Sequence, residues 1–211
     1  MKDMNTKGFK LTVLRFTIVT LTLFISLNLE AQSARSILDK TAAVVGRKGG
    51  ASANFTISGS QLGSTSGKIA IKANKFYART PQAIVWYDGK TQWSYLKKTN
   101  EVNISHPSQS QQMSMNPYTF INMYKNGYSL TFKSLATSYQ IHMIAQNAKT
   151  KLPEMYILIN KNNYRPSQVK MRQGKTWTTI NITAFKPVNQ PDNIFVFQSK
   201  DAPSAEVIDL R

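Results

Sequence analysis

The chain has 211 residues, with 27 Lys and Arg against 10 Asp and Glu, a formal net charge of +17 and no cysteine. That length with 41% hydrophobic residues suits one ordinary domain with a core of its own. The lack of cysteine excludes a thiolate nucleophile, a Cys-ligated zinc, an iron–sulfur cluster and disulfide stapling, and two histidines leave little for a His-based metal site.

Residues 1–31 run from a basic start (Lys2, Lys7, Lys10, Arg15) through the apolar stretch Phe16 to Leu29 to the small-residue end at Ala31. This pattern predicts a secretory signal peptide cleaved after Ala31, leaving 32–211 as a single mature domain. The apolar stretch is shorter than the ~20 residues that a permanent membrane helix needs. No cysteine follows it, so lipidation of the bacterial lipoprotein type is not expected. Cleavage removes four positive and two negative side chains, leaving about +15. An exported protein held together by its core alone suits a bacterial periplasm.

Ala34, Ile37, Leu38, Thr41, Ala42 and Val45 recur at helical spacing, and Gly46 or Gly49 can end that helix. From Ala53 the period becomes two, with Ala53, Phe55 and Ile57 on one face. Turn signals then recur as in an antiparallel meander, with strands expected at 68–73, 75–79, 83–87, 91–96 and 100–105. Asp88-Gly89 is the strongest hairpin signal, read as a type I′ turn. The polar tract Ser108 to Ser114 reads as a loop, after which Asn116 can cap and Pro117 begin a short helix through Tyr124. Strands resume at 129–133, 139–145, 154–160, 167–172, 175–184 and 193–198. About eleven strands without crossover helices exclude a dinucleotide-binding α/β unit.

The expected inward side chains are large and soft, among them Phe55, Trp86, Trp93, Tyr95, Phe120, Met143, Trp177, Phe195 and Phe197. They either fill a core or, as an adaptable aromatic and Met lining, hold flexible acyl chains. The Lys and Arg residues are scattered along the strands as a solvated outer face, which also offers attraction to anionic lipid head groups or an acidic partner; nucleic acid is not an expected partner. No Gly-x-Ser-x-Gly elbow, His-Glu-x-x-His or Walker loop is present. His106 lies at a strand end, and His142 alternates with Ile141 and Met143 so as to face solvent. The reading is a non-enzyme with no catalytic residue, no metal and no cofactor.

The run Tyr87-Asp88-Gly89-Lys90-Thr91-Gln92-Trp93-Ser94-Tyr95 resembles the hairpin of the LolA family of periplasmic lipoprotein carriers. Further similar pieces keep the family's order: Ile37-Leu38-Asp39-Lys40, Ala53-Asn54-Phe55-Thr56, Gly67-Lys68-Ile69, Phe76-Tyr77, Asn116-Pro117-Tyr118, Asp201-Ala202-Pro203 and Val207-Ile208-Asp209. The resemblance implies a mainly β (α+β) fold: an incomplete antiparallel β-barrel of about eleven strands, with two or three helices as a lid over an apolar cavity. It also implies a monomeric periplasmic chaperone. Such a protein takes acylated lipoproteins from an inner-membrane lipoprotein-releasing ABC transporter and passes them to a LolB-like outer-membrane acceptor or to the outer membrane itself. The alternative is a LolA-like module that binds another lipid or acts as an envelope-stress sensor. Phe55, Ile69, Ile71, Trp86, Trp93, Tyr95, Phe120 and Met143 are the expected acyl-binding cavity lining. Lys72 is followed by Ala73 where family members often carry an Arg that helps to hold the lid. Arg79, Lys72 or apolar contact alone are the candidates to replace it.

Overall fold

The computed structural model describes residues 34–59, 63–108, 111–112, 116–147 and 149–211. The expected signal peptide lies outside the described residues, and of the Ser108 to Ser114 tract only Ser108, Gln111 and Gln112 fall within them. The apolar stripe at helical spacing forms α1 (34–45), which buries Ala34, Ile37, Leu38, Thr41 and Val45. The Thr41 hydroxyl is satisfied inside the helix by donating to the Ile37 carbonyl at 3.0 Å. The chain then reverses at Gly50, whose φ of +90° and backbone proximity leave no room for a side chain: a Cβ there would lie 2.4 Å from the Ile71 carbonyl oxygen.

The period-two segments build one open, curved, twelve-stranded sheet. Its first meander is β1 (Ala51–Gly59), β2 (Gly63–Lys72), β3 (Lys75–Arg79), β4 (Ala83–Tyr87), β5 (Gln92–Leu96) and β6 (Glu101–Ser105). A short cover follows, a 3-10 turn (Pro117–Thr119) running into α2 (Phe120–Met123). As expected, Asn116 caps it by accepting from the Tyr118 amide at 2.9 Å, with Pro117 in the first turn. The second meander is β7 (Tyr128–Ser134), β8 (Ser138–Ala145), β9 (Glu154–Asn160), β10 (Pro166–Gln173) and β11 (Thr176–Pro187). The meanders join where β1 pairs with β11, and β12 (Glu206–Asp209) adds to β6 in parallel, giving the order β12-β6-β5-β4-β3-β2-β1-β11-β10-β9-β8-β7. The architecture is the expected incomplete barrel with a helical lid, with twelve strands where about eleven were expected.

Two local expectations are corrected. The 88–91 turn is not type I′: among its residues only Gly89 has positive φ, and Asp88 instead accepts the Lys90 and Thr91 amides on its carboxylate, both at 2.8 Å. Residues 193–198 are not a strand. They belong to a C-terminal strap, 188–205, with 3-10 turns at Asp192–Phe195 and Ser199–Asp201.

One bulge shapes the interior. Opposite Ala53, β11 supplies both Ala184 and Phe185, and Ala184 takes φ 50° to absorb the extra residue. Phe185 thereby packs against the main core, its ring 6.2 Å from that of Tyr118.

Candidate functional site

The pairing registers separate the sheet into two faces. On the concave face, Ala53 stands opposite Ile69, Ile69 opposite Ala78, and Ala78 opposite Val85. Beyond the join, Ile180 stands opposite Val169, Val169 opposite Ile157, and Ile157 opposite Ile141. These rows, α1 and the 118–124 segment form a single apolar cluster. Of the eight residues expected to line a cavity, Phe55, Ile69, Ile71, Phe120 and Met143 meet in it, each at most 3% exposed. Phe76, Tyr87, Tyr118 and Tyr124 share it, though they were not among the expected lining residues.

Trp86, Trp93 and Tyr95 are not brought to that site. Trp86 pairs with Tyr77 and Trp93, and Tyr95 pairs with Ile84, all on the convex face. There the C-terminal strap builds a smaller core. Phe195 is fully buried, Ala202 and Val102 are buried, and the Phe197 ring meets Trp86 edge-on at 5.3 Å. Of the other expected inward aromatics, Phe195 and Phe197 belong to this second core, and Trp177 lies on the convex face, opposite Arg172. His142 also faces outward, as expected, stacked on Tyr156 at 4.2 Å and hydrogen-bonded to Glu154. Burial pushes the Glu154 carboxyl up, but hydrogen bonds from His142, Tyr156 and Arg172 outweigh it and leave a net lowering. His106 is exposed, with its ring nitrogen 3.2 Å from the Lys90 carbonyl.

Among the described residues, α1 and the 117–123 segment cover the concave face, and a few polar contacts hold this cover. The buried Tyr124 phenol donates to Asp39 of α1 through a short hydrogen bond, and the Arg35 guanidinium donates to the Lys125 carbonyl at 3.3 Å. Burial first, then the Asp39 hydrogen bond, holds the Tyr124 phenol well above its ordinary pKa. Lys40 donates to the Tyr164 hydroxyl at 3.2 Å. Lys72 and Arg79, the candidates to replace the missing arginine, do not latch this cover: both point to the convex face, where Lys72 pairs with Asp192.

Inside the cluster one polar atom stands out. The Tyr118 hydroxyl is buried with no hydrogen-bond partner, and burial pushes its pKa well above the ordinary phenol value. Gln92 Oε1 is likewise buried and unpaired. Among the described residues no three His, Asp or Glu side chains gather as a metal site, and none of the described helices is long and apolar enough to cross a membrane. What the arrangement offers chemically is a large apolar face covered by helical segments, with an isolated hydrogen-bond donor in it.

The family of outer membrane lipoprotein carrier protein LolA matches residues 24–175. The fold is similar to that of an uncharacterized conserved protein from Thermus thermophilus, at 17% identity and a TM-score of 0.59, covering 84% of this chain and 99% of that one. More distant likenesses are a LolA superfamily protein from Nitrosomonas europaea and a chain of the Pseudomonas aeruginosa MucA/MucB complex. The first has 11% identity and a TM-score of 0.45, covering 78% of this chain and 97% of that one. The second has 9% identity and a TM-score of 0.44, covering 78% of this chain and 61% of that one. No protein of curated function matches the chain.

Proposed function

The chain belongs to the LolA family of outer membrane lipoprotein carrier proteins, and from that premise we propose that it is a periplasmic carrier that shields the acyl chains of lipoproteins between the two membranes. The observation that carries this reading is the cover of the concave face. Among the described residues, a twelve-stranded sheet buries its main apolar surface against α1 and the 117–123 segment rather than against a second sheet. Lifting α1 re-exposes Ile37, Leu38 and Val45, which costs about 5–9 kcal/mol at ~1.5–3 kcal/mol per side chain. An acyl chain laid on the same face gains about 0.8 kcal/mol per methylene, so about ten methylenes return about 8 kcal/mol. Cover and cargo are therefore closely matched. That match lets a carrier load and unload without covalent chemistry, an enzyme's residues or a cofactor.

Phe55, Ile69, Ile71, Phe120 and Met143 are the acyl-facing residues in this reading, and the Tyr118 hydroxyl meets an ester or amide carbonyl of the cargo. The donor is an inner-membrane lipoprotein-releasing transporter, and the acceptor is a LolB-like protein or the outer membrane itself. Native mass spectrometry of the mature protein from an envelope extract tests this, with a triacylated lipopeptide and its deacylated form added in parallel. A bound acylated protein, and binding of the acylated peptide alone, is the expected result. Equal binding of both peptides, or of neither, refutes it, and free lipid in place of acylated protein shifts the cargo to another lipid class.

A further inference from the structure

The convex face of β2 and β3 carries a second arrangement, independent of the concave face. In an antiparallel pair, like charges directly opposite one another are destabilising. This happens twice on one ladder: Lys72 stands opposite Lys75, and Lys68 stands opposite Arg79. The first pair is neutralised within the molecule. Asp192 of the strap takes the Lys72 ammonium at 2.8 Å and the Lys75 ammonium at 2.9 Å. The second pair lies four residues back along β2 on the same face, and among the described residues neither of its side chains has an ion pair or a hydrogen bond.

Lys68 and Arg79 open onto a groove of about 690 Å³ between the sheet and the strap. Ala70, Tyr77, Ile84 and Trp86 contribute apolar surface, Ile194 faces them from the strap, and Lys200 adds a third cation. The lining also holds one carboxylate, Asp201, which accepts the Gln198 amide at 2.9 Å, so the three cations leave it a net positive charge. We infer that this groove binds an anionic single-chain amphiphile, its carboxylate or phosphate head between Lys68 and Arg79 and its chain against Ile84, Tyr77 and Trp86. The twin pair at Lys72 and Lys75 shows, within the same molecule, what an anion does in that position. The adjoining apolar surface selects an amphiphile over a bare anion. A peptide strand is disfavoured because β2, β3 and β4 are interior strands whose backbone groups are already paired on both sides.

All three tryptophans, Trp86, Trp93 and Trp177, lie on the convex face, so short-range quenching by brominated chains reports this face and not the concave core. The experiment titrates the mature protein, below the micellar limit, with dibromostearate, brominated lysophosphatidylglycerol and brominated lysophosphatidylcholine. Strong quenching by one or both anionic probes, with at least tenfold weaker binding of the choline lipid, is expected; which anionic probe binds tells carboxylate from phosphate. Trp86→Phe should remove most of the quenching. Lys68→Glu with Arg79→Glu should weaken binding at least tenfold, and Lys68→Gln with Arg79→Gln should act in the same direction without adding charge. Binding of a triacylated lipopeptide at the concave face should be unchanged in these variants, which separates the two sites. Equal affinity for the zwitterionic lipid, unchanged binding in both charge variants, or quenching that survives Trp86→Phe overturns the assignment.

Discussion

Replacing Tyr118 by Phe should make the cargo-free protein more stable. The side chain is 2% exposed and its hydroxyl has no hydrogen-bond partner, while its ring sits edge-on to Phe185 at 6.2 Å. A buried polar group left unpaired costs about 1–3 kcal/mol, and removing only its oxygen keeps the ring's packing. For a domain of this size each kcal/mol moves the melting temperature by about 2–4 °C. The expected rise is therefore about 2–12 °C, read by circular dichroism on the protein with no ligand added. Binding of an acylated lipopeptide should move in the opposite direction. If a cargo carbonyl accepts from that hydroxyl, its loss weakens binding by about 0.5–1.5 kcal/mol, or about two- to tenfold. A melting temperature that stays level or falls in the cargo-free variant would show that the hydroxyl is already satisfied, and would remove its role in the carrier reading.

Leu38→Ala should destabilise by about 2–5 kcal/mol, since Leu38 is fully buried between α1 and the sheet; urea unfolding with an unchanged slope checks it. Gly67→Ala should lower stability by about 1–3 kcal/mol or more: the added Cβ would lie 2.4 Å from the Arg79 carbonyl oxygen and 2.6 Å from Phe55 Cζ, and backbone cannot yield as a side-chain tip can. A melting point equal to wild type would contradict that geometry. Hydrogen bonds from Lys72, then from Lys75, lower the Asp192 pKa, so its hold on the strap is complete above the ordinary carboxylate range and is lost as pH falls through the lowered value. Asp192→Asn should accordingly speed hydrogen exchange at Ile194 and Phe195 relative to wild type at neutral pH, and the difference should close in acid. No difference at neutral pH would assign the strap's anchorage to its apolar contacts alone, and a difference that persists in acid would show that Asp192 does not act through its charge.

Sequence periodicity located most of the strands, because each β-segment alternates and the turns between them are marked by Gly, Pro, Asn and Asp. It could not decide the face where both sides of a strand are apolar. In β4, Ala83, Ile84, Val85, Trp86 and Tyr87 offer two apolar stripes, and side-chain size favours Trp86 for the interior. Register sends Tyr87 to the main core and Trp86 to the other side. The missing information is non-local: the strap, more than a hundred residues downstream of Trp86 in the numbering, turns that second side into a core as well. The strap itself reads as a strand because Ile194, Val196 and Gln198 alternate with Phe195 and Phe197 as strand residues would. The lid contacts are equally hidden, since Asp39 and Tyr124 each look like an ordinary surface or core residue until α1 and α2 are laid side by side.

The join between β1 and β11 bears on how the chain is made. Each meander assembles from neighbours close in sequence, but the one ladder uniting them sets Phe55 against Ile182, so the first half of the sheet must wait for nearly all of the second. A polypeptide emerging amino-terminus first therefore presents β1 as a bare edge for most of its synthesis, and bare edges recruit wrong partners. High contact order of this kind makes folding slow even where the product is stable. The yield of active protein is thus set by how long that edge stays open, and slowing the arrival of β11 should promote aggregation before it alters the finished fold.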